Sequence, residues 1–261
     1  MAEREKSRLG TAIISTASVA AVVLVWQGSV QLGLANPLLL PAPTTVAATA
    51  GELIRNGYGT ASLAQHVAVS LARALGAFLV ASLVGIPLGL GMGMNPTLDA
   101  IVNPFIQFFR PLPKLALIPL AVLWFGIGEV SKFVLIFLST FLTIVVGAAG
   151  AVGGIRQQRI KAARALGASG MPLFWRVILP SVLPEVFLSI RLGVGIGWTT
   201  LIAAEMIASE RGLGWMITNA AGYLRTDIVM LGIVLLGSIG YLLDVALQLL
   251  QRQAVPWAGR E

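Results

Sequence analysis

Six apolar runs dominate this chain, each long enough to cross a lipid bilayer: Thr11–Leu32, Val67–Met94, Ile101–Phe125, Phe133–Val152, Val186–Ile207 and Ile228–Leu250. A bilayer core needs about 20 apolar residues of helix. Within it every backbone N–H and C=O must be satisfied internally, which leaves helices and closed barrels as the only spanning structures. Apolar runs of this length specify helices, so the expected fold is an all-α polytopic membrane protein with six transmembrane helices. Composition agrees: 57% of the 261 residues are hydrophobic and 11% charged, where soluble domains carry about 25% charged residues. In such a chain a net charge of +7 reads as membrane topology, and no nucleic-acid partner is expected.

Six spans put both termini in the cytoplasm. The cytoplasmic side then holds Arg4, Lys6, Arg8, Arg156, Arg159, Lys161, Arg164, Arg176, Arg252 and Arg260, against Arg55, Lys132, Arg211 and Arg225 outside. That asymmetry follows the positive-inside rule. The first run is longer than a signal-peptide core and has no persuasive cleavage site after it, so it reads as a span. Asn36–Thr60 is not a span, because Pro37, Pro41 and Pro43 forbid regular helix at its start. It reads as an extended segment followed by a short helix on the outer surface. The whole of 1–261 is a single transmembrane domain, with a core over 67–252 and with 1–66 as first span plus outer segment.

Several chemistries are excluded. Without cysteine there are no disulfides or thiolate metal sites. The single histidine, His66, lies beside a span and reads as an interfacial residue. No G-x-x-x-x-G-K-[ST] loop cradles a phosphate, so the chain does not hydrolyse ATP itself and carries no cofactor. Neither a nucleophile–base pair nor paired carboxylates mark a catalytic site. A stand-alone secondary transporter would show matched broken helices, and only the third run is broken.

That break, Arg110-Pro111-Leu112-Pro113-Lys114, places two cations at membrane depth, where they are costly unless they face protein or water. Arg110 and Lys114 could attract an anionic solute, line the inner mouth or pair with acids of a neighbouring helix. Asn95–Ala100 before it reads as a short turn. In the second run Gly85, Gly89 and Gly93 recur every four residues, a spacing that lets helices pack closely in lipid. Arg73 lies in the outer third of that run, where it can snorkel or pair, and reads first as an interfacial anchor. Gly193 and Gly197 form a second small-residue face, in the fifth run, and Ser209–Asp227 reads as an outer loop.

Between the fourth and fifth runs lies a basic island, Arg156–Pro184. Gln158–Leu166 reads as a short helix of strong helix formers, and Gly167 fits the left-handed position just past its end. Ser169 is placed to cap a second short helix with Pro172 in its first turn, stopping before Pro180. Ala162, Ala163 and Ala165 leave one flank nearly bare, so another protein's surface can approach the backbone. The result is a helix–turn–helix held between two spans and open to a soluble partner.

The island also carries a family resemblance. Lys161-Ala162-Ala163, three residues, Gly167, nine residues, then Val177-Ile178-Leu179-Pro180 resembles the EAA loop of binding-protein-dependent ABC importer permeases. Lys161 stands where that motif usually has Glu. Three further stretches are similar to permeases of the nitrate, sulfonate and taurine type, with the taurine permeases nearest: Leu39-Leu40-Pro41-Ala42-Pro43, Leu115 through Lys132 with Trp124-Phe125-Gly126-Ile127-Gly128-Glu129 at its centre, and Ser209–Asp227 with Arg211-Gly212-Leu213-Gly214-Trp215 at its spacing from Glu205. The resemblance runs from about Leu39 to Gly259.

The resemblance implies the permease subunit of an ATP-driven importer in a bacterial inner membrane. Taurine or another alkylsulfonate is the expected solute, with nitrate, bicarbonate and aromatic carboxylates as alternatives. It implies a homodimeric pore, two ATPase subunits that hold ATP and Mg, and a periplasmic or lipid-anchored solute-binding protein. Lys161, Ala162, Ala163, Gly167, Leu179 and Pro180 become the ATPase-coupling residues. Fifth spans that approach across the pore make Trp198, Thr199, Thr200 and Glu205 candidate pathway residues beside Arg110 and Lys114. The threonines could equally satisfy backbone groups within the span, and Glu205 could be solvated at the outer surface.

Overall fold

The computed structural model describes the backbone of residues 2–257 and the side chains of residues 13–257. Arg4, Lys6, Arg8 and Arg260, assigned by sequence to the cytoplasmic side, lie outside the described side chains, as does Gly259 at the end of the stretch of resemblance. Among the described residues there is no β-strand, only an isolated bridge between Tyr58 and Ala61. The helices are α1 (Ala2–Gln31), α2 (Pro43–Asn56), α3 (Leu63–Met94), α4 (Pro96–Phe109), α5 (Ile118–Phe125), α6 (Glu129–Gly153), α7 (Gln157–Ala165), α8 (Gly170–Leu173), α9 (Leu179–Ala208), α10 (Leu213–Gly222) and α11 (Thr226–Ala254). Five of them contain stretches long and apolar enough to cross a membrane, and α4–α5 make a sixth span if that bent pair is taken together. The six-span expectation holds.

Three details differ from expectation. Asn95 is not in a turn but caps α4: its side chain accepts from the Thr97 and Leu98 amides at 2.9 and 3.3 Å, Pro96 follows, and Asp99 sits in the positive first turn. Nor does the helix after Ser169 stop before Pro180. From Gly170 it runs unbroken to Ala208, because Phe174–Ile178 widens into a π turn in which the Leu179 amide reaches the Phe174 carbonyl. Such a turn changes the ladder locally and absorbs a residue that lacks an N–H. Third, the Ser209–Asp227 segment is not all loop but holds α10.

The residues group into two compact units. One holds the chain up to Gln65 together with Met216–Leu235. In it α2 starts at Pro43 after extended Ala42 and buries Val46, Thr49 and Leu53 along one face. Polar bonds tie this face down: Thr49 Oγ1 donates to Asp227 Oδ2 at 2.9 Å, and Tyr58 Oη donates to Asn219 Oδ1 at 2.8 Å. Arg225 forks onto Asp227 at 3.0 and 2.9 Å. Most of the Ile13–Gln31 stretch of α1 is exposed, as suits a lipid-facing span.

The other unit holds His66–Trp215 and the chain from Leu236 on. Its centre is α6, which packs most extensively on α9. The glycine stripes do what their spacing predicts. A Cβ on Gly89 would come within 2.5 Å of the Val145 carbonyl, and one on Gly93 within 2.6 Å of Val152, so α3 lies almost backbone to backbone on α6. Gly193 and Gly197 do the same for α9 against Thr140 and Ile144 of α6 and Phe78 of α3. Around these contacts Leu90, Ala148, Ala151, Ile155, Val182 and Val186 form one buried cluster, and Ile118, Ala121, Leu135 and Ala204 another.

Candidate functional site

The basic island folds as its residues suggest up to its first turn. α7 ends in a Schellman cap: Gly167, at φ +86°, donates to the Arg164 carbonyl at 2.9 Å, and Ala168 donates to Ala163 at 3.0 Å. That left-handed position suits glycine and penalises a side chain. Ser169 occupies the cap position of the next helix in extended conformation, but its hydroxyl makes no cap bond. None of the α7 residues is fully buried. Lys161, Ala162 and Gly167 are exposed, Ala163 half-buried, and Leu179 and Pro180 half-buried at the start of α9. Leu166 is 90% exposed, Met171 67% and Trp175 59%. Three large apolar side chains around a turn that lacks its own cover make a surface suited to a partner.

The broken span explains one of its two cations. The helices on either side of the break cross at 89°. Lys114 curls back so that its ammonium donates to the Arg110 carbonyl at 2.5 Å and to Phe109 at 3.3 Å, covering carbonyls that α4 leaves free at its C-terminus. Arg110 is exposed.

On α9 the four candidate pathway residues separate by face. Trp198 is buried, and its indole donates to the Leu236 carbonyl at 3.2 Å. Thr200 is buried and donates to Ile196 within the helix. Only Thr199 is exposed, on a stripe with Leu188, Leu192 and Ile196. Glu205 is fully buried, so the solvated alternative does not hold.

Glu205 sits instead in a polar knot that the sequence reading did not assemble. Arg73 Nη1 donates to Glu205 Oε1 at 2.7 Å and to the Arg211 carbonyl at 2.8 Å. The Ser70 hydroxyl lies 2.9 and 2.8 Å from the two Glu205 oxygens and accepts from the Leu213 amide at 2.9 Å. The Gly214 amide donates to Glu205 Oε2 at 3.0 Å. The Arg211–Gly214 backbone lies directly on this carboxylate: a Cβ on Gly214 would come within 2.7 Å of the Glu205 Cβ.

The other edge of Arg73 forks onto Glu129, with Nε and Nη2 each at 2.6 Å, and Lys132 reaches Glu129 at 3.2 Å. Two cations thus share two carboxylates. Arg73, read as an interfacial anchor, is an internal clamp, and Lys132, read as an outer-turn residue, is buried. His66 is not interfacial either. It is fully buried, stacks on Trp215 with centroids 5.5 Å apart and accepts from the Gly212 amide at 3.2 Å. The available sequence signal was the charges themselves, set just inside apolar runs beside a glycine-rich turn. Among the described residues no group of three or more His, Asp or Glu could hold a metal.

Residues 81–256 match the family described as "Binding-protein-dependent transport system inner membrane component". The chain belongs to that family. Within this transport family the chain is 44% identical over 250 residues to the taurine transport system permease protein TauC of Escherichia coli (strain K12), covering 94% of this chain and 90% of that protein. It is 38% identical over 236 residues to the protein of the same organism described as "Putative aliphatic sulfonates transport permease protein SsuC", covering 90% and 88%. Among solved structures it resembles a chain of the inward-facing MetNI methionine ABC transporter, with a TM-score of 0.63 at 23% identity over 73% of this chain and 95% of that one. That likeness speaks to the fold of an ABC-transporter membrane component.

Proposed function

We propose that the chain is the permease subunit of an ATP-driven importer for taurine or a related alkylsulfonate. The observation that carries this reading is the 44% identity to a taurine transport permease, sustained over 94% of the chain. In this reading the Lys161–Pro180 segment faces the cytoplasm, as do both termini. Its Ala-rich flank, the Gly167 cap and the exposed Leu166, Met171 and Trp175 dock on an ATPase subunit, one per permease copy. ATP with Mg2+ is held by those partners, and a periplasmic or lipid-anchored binding protein delivers the solute from the outer side of the bacterial inner membrane.

Two copies form the pore. The exposed α9 stripe of Leu188, Leu192, Ile196 and Thr199 meets its symmetry mate across the axis, as an isologous contact requires. Solute passes along that face, and Arg110 supplies positive charge near the break. Trp198, Thr200 and Glu205 shape the face from behind. When ATP closes the ATPase dimer, the two docking segments move together and bias the pore outward. This shift depends on the partner binding the two pore states with different affinity.

Co-purification tests the reading. Tagged permease expressed with its neighbouring genes should bring down an ATPase subunit in equal amount, and Ala163→Asp should abolish that recovery while the permease still inserts. Recovery of the permease alone, in every nucleotide state, would contradict it.

A further inference from the structure

Between α6 and α9 the second unit has a cleft of about 490 Å³ that opens to the surface. One wall is bare backbone, because Gly147 and Gly150 of α6 and Gly154 just past its end face it without side chains. Its deep end closes where the Ser189 side chain lies on Gly147. The cleft's polar side carries Arg156, Arg159, Ser181 and Glu185. Arg159 is anchored, its Nη1 donating to Ser181 Oγ at 3.0 Å. Glu185 follows Ser181 by four residues on the same helix, so it stands one turn further along the same face, with about 5–6 Å between Cβ atoms. Arg156 and Glu185 line one space, yet neither forms an ion pair with another described residue. Leu188 and Leu192 continue the α9 wall with apolar surface.

The Arg156 guanidinium and the Glu185 carboxylate, opposite in sign and both exposed on one cleft, complement a ligand that carries both charges. An oxyacid head suits the arginines, whose forked donors match planar or tetrahedral oxyanions. An ammonium group suits the Glu185 carboxylate, and a short alkyl link spans the turn between them. We propose that this cleft is a holding site for a short aminoalkanesulfonate zwitterion, with Arg156 and Arg159 on the sulfonate and Glu185 on the ammonium. The assignment rests on the importer reading above and adds a selectivity built into the permease itself. A sulfonate without an amine meets the Glu185 charge with nothing to offset it.

The test uses the permease–ATPase complex in nanodiscs without binding protein, with radiolabelled taurine in equilibrium dialysis and ethanesulfonate as competitor. Wild type should bind taurine and prefer it to ethanesulfonate by roughly tenfold, the scale of one charged hydrogen bond. Glu185→Gln should erase that preference by weakening taurine alone, and Arg156→Gln should weaken both ligands. Both side chains are exposed, so unchanged melting temperatures are expected and confirm folded protein. No taurine bound by wild type, or an unchanged taurine-to-ethanesulfonate ratio in Glu185→Gln, overturns the site. Uptake by the complete wild-type importer, run alongside, separates the two claims. If taurine still enters, only the cleft assignment falls, whereas if no sulfonate enters, the importer reading falls with it.

Discussion

Arg73 meets the fully buried carboxylate of Glu205 at 2.7 Å while its other edge holds the mostly exposed Glu129 at 2.6 Å. One guanidinium therefore ties α3 to the start of α6, the end of α9 and the Arg211–Gly214 turn. Removing it strands a buried charge, which typically costs about 3–5 kcal/mol. Arg73→Met should lower the melting temperature of the purified protein sharply. The double variant Arg73→Met/Glu205→Met should recover much of that loss, because replacing a buried pair costs less than breaking it. Additive losses would show that the two residues act separately.

The glycine stripe gives a prediction with an internal control. A side chain at Gly89 collides with the Val145 carbonyl, whereas Gly76 on the same helix has nothing within 4 Å of an added Cβ. Gly89→Val should destabilise by about 1–3 kcal/mol, the usual range for overpacking. Gly76→Ala should be neutral or slightly stabilising, since alanine is the better helix former. Thermal melting in detergent reads both, and equal effects would contradict the close α3–α6 approach.

At the docking segment, Gly167→Val forces a β-branched residue to φ +86°, a conformation that costs an L-residue roughly 1–2 kcal/mol. The cap should loosen and the turn re-aim Leu166 and Met171. Uptake should fall severalfold while insertion and expression hold, and ATP hydrolysis should no longer respond to solute. Normal coupled uptake in this variant would remove Gly167 from the coupling role.

The two cations of the broken span should separate by phenotype. Lys114→Gln removes an ammonium that covers two α4 carbonyls, so its loss should appear as reduced folded yield with normal specific activity. Arg110→Gln leaves the bend intact and should lower anion uptake at normal yield. Paired measurements of yield and uptake per folded complex decide this, and a reversed pattern would exchange the two roles.

How far the sequence carried the account differs by region. Spans were legible because lipid demands long apolar helices, and the third span's break was legible because Pro111 and Pro113 forbid the ladder. The Gly167 cap was legible for the same local reason. By contrast, the continuation of α9 through Pro180 depends on a π turn that residue types do not announce. The Arg73–Glu205 clamp joins residues 132 positions apart, and nothing in local pattern links them. Faces within α9 were also unreadable: Trp198, Thr199 and Thr200 are adjacent in sequence, and only packing decides which one looks outward.

The central claim is ATP-driven, binding-protein-dependent import of a sulfonate through this chain, and reconstituted uptake tests it most directly. Proteoliposomes holding the permease and its ATPase partner, loaded with ATP and Mg2+, are given radiolabelled taurine together with the cognate binding protein. The account predicts accumulation against a gradient that requires both ATP and the binding protein and that disappears in Ala163→Asp. Accumulation independent of either one, or none with any alkylsulfonate while nitrate or bicarbonate is taken up, would contradict it.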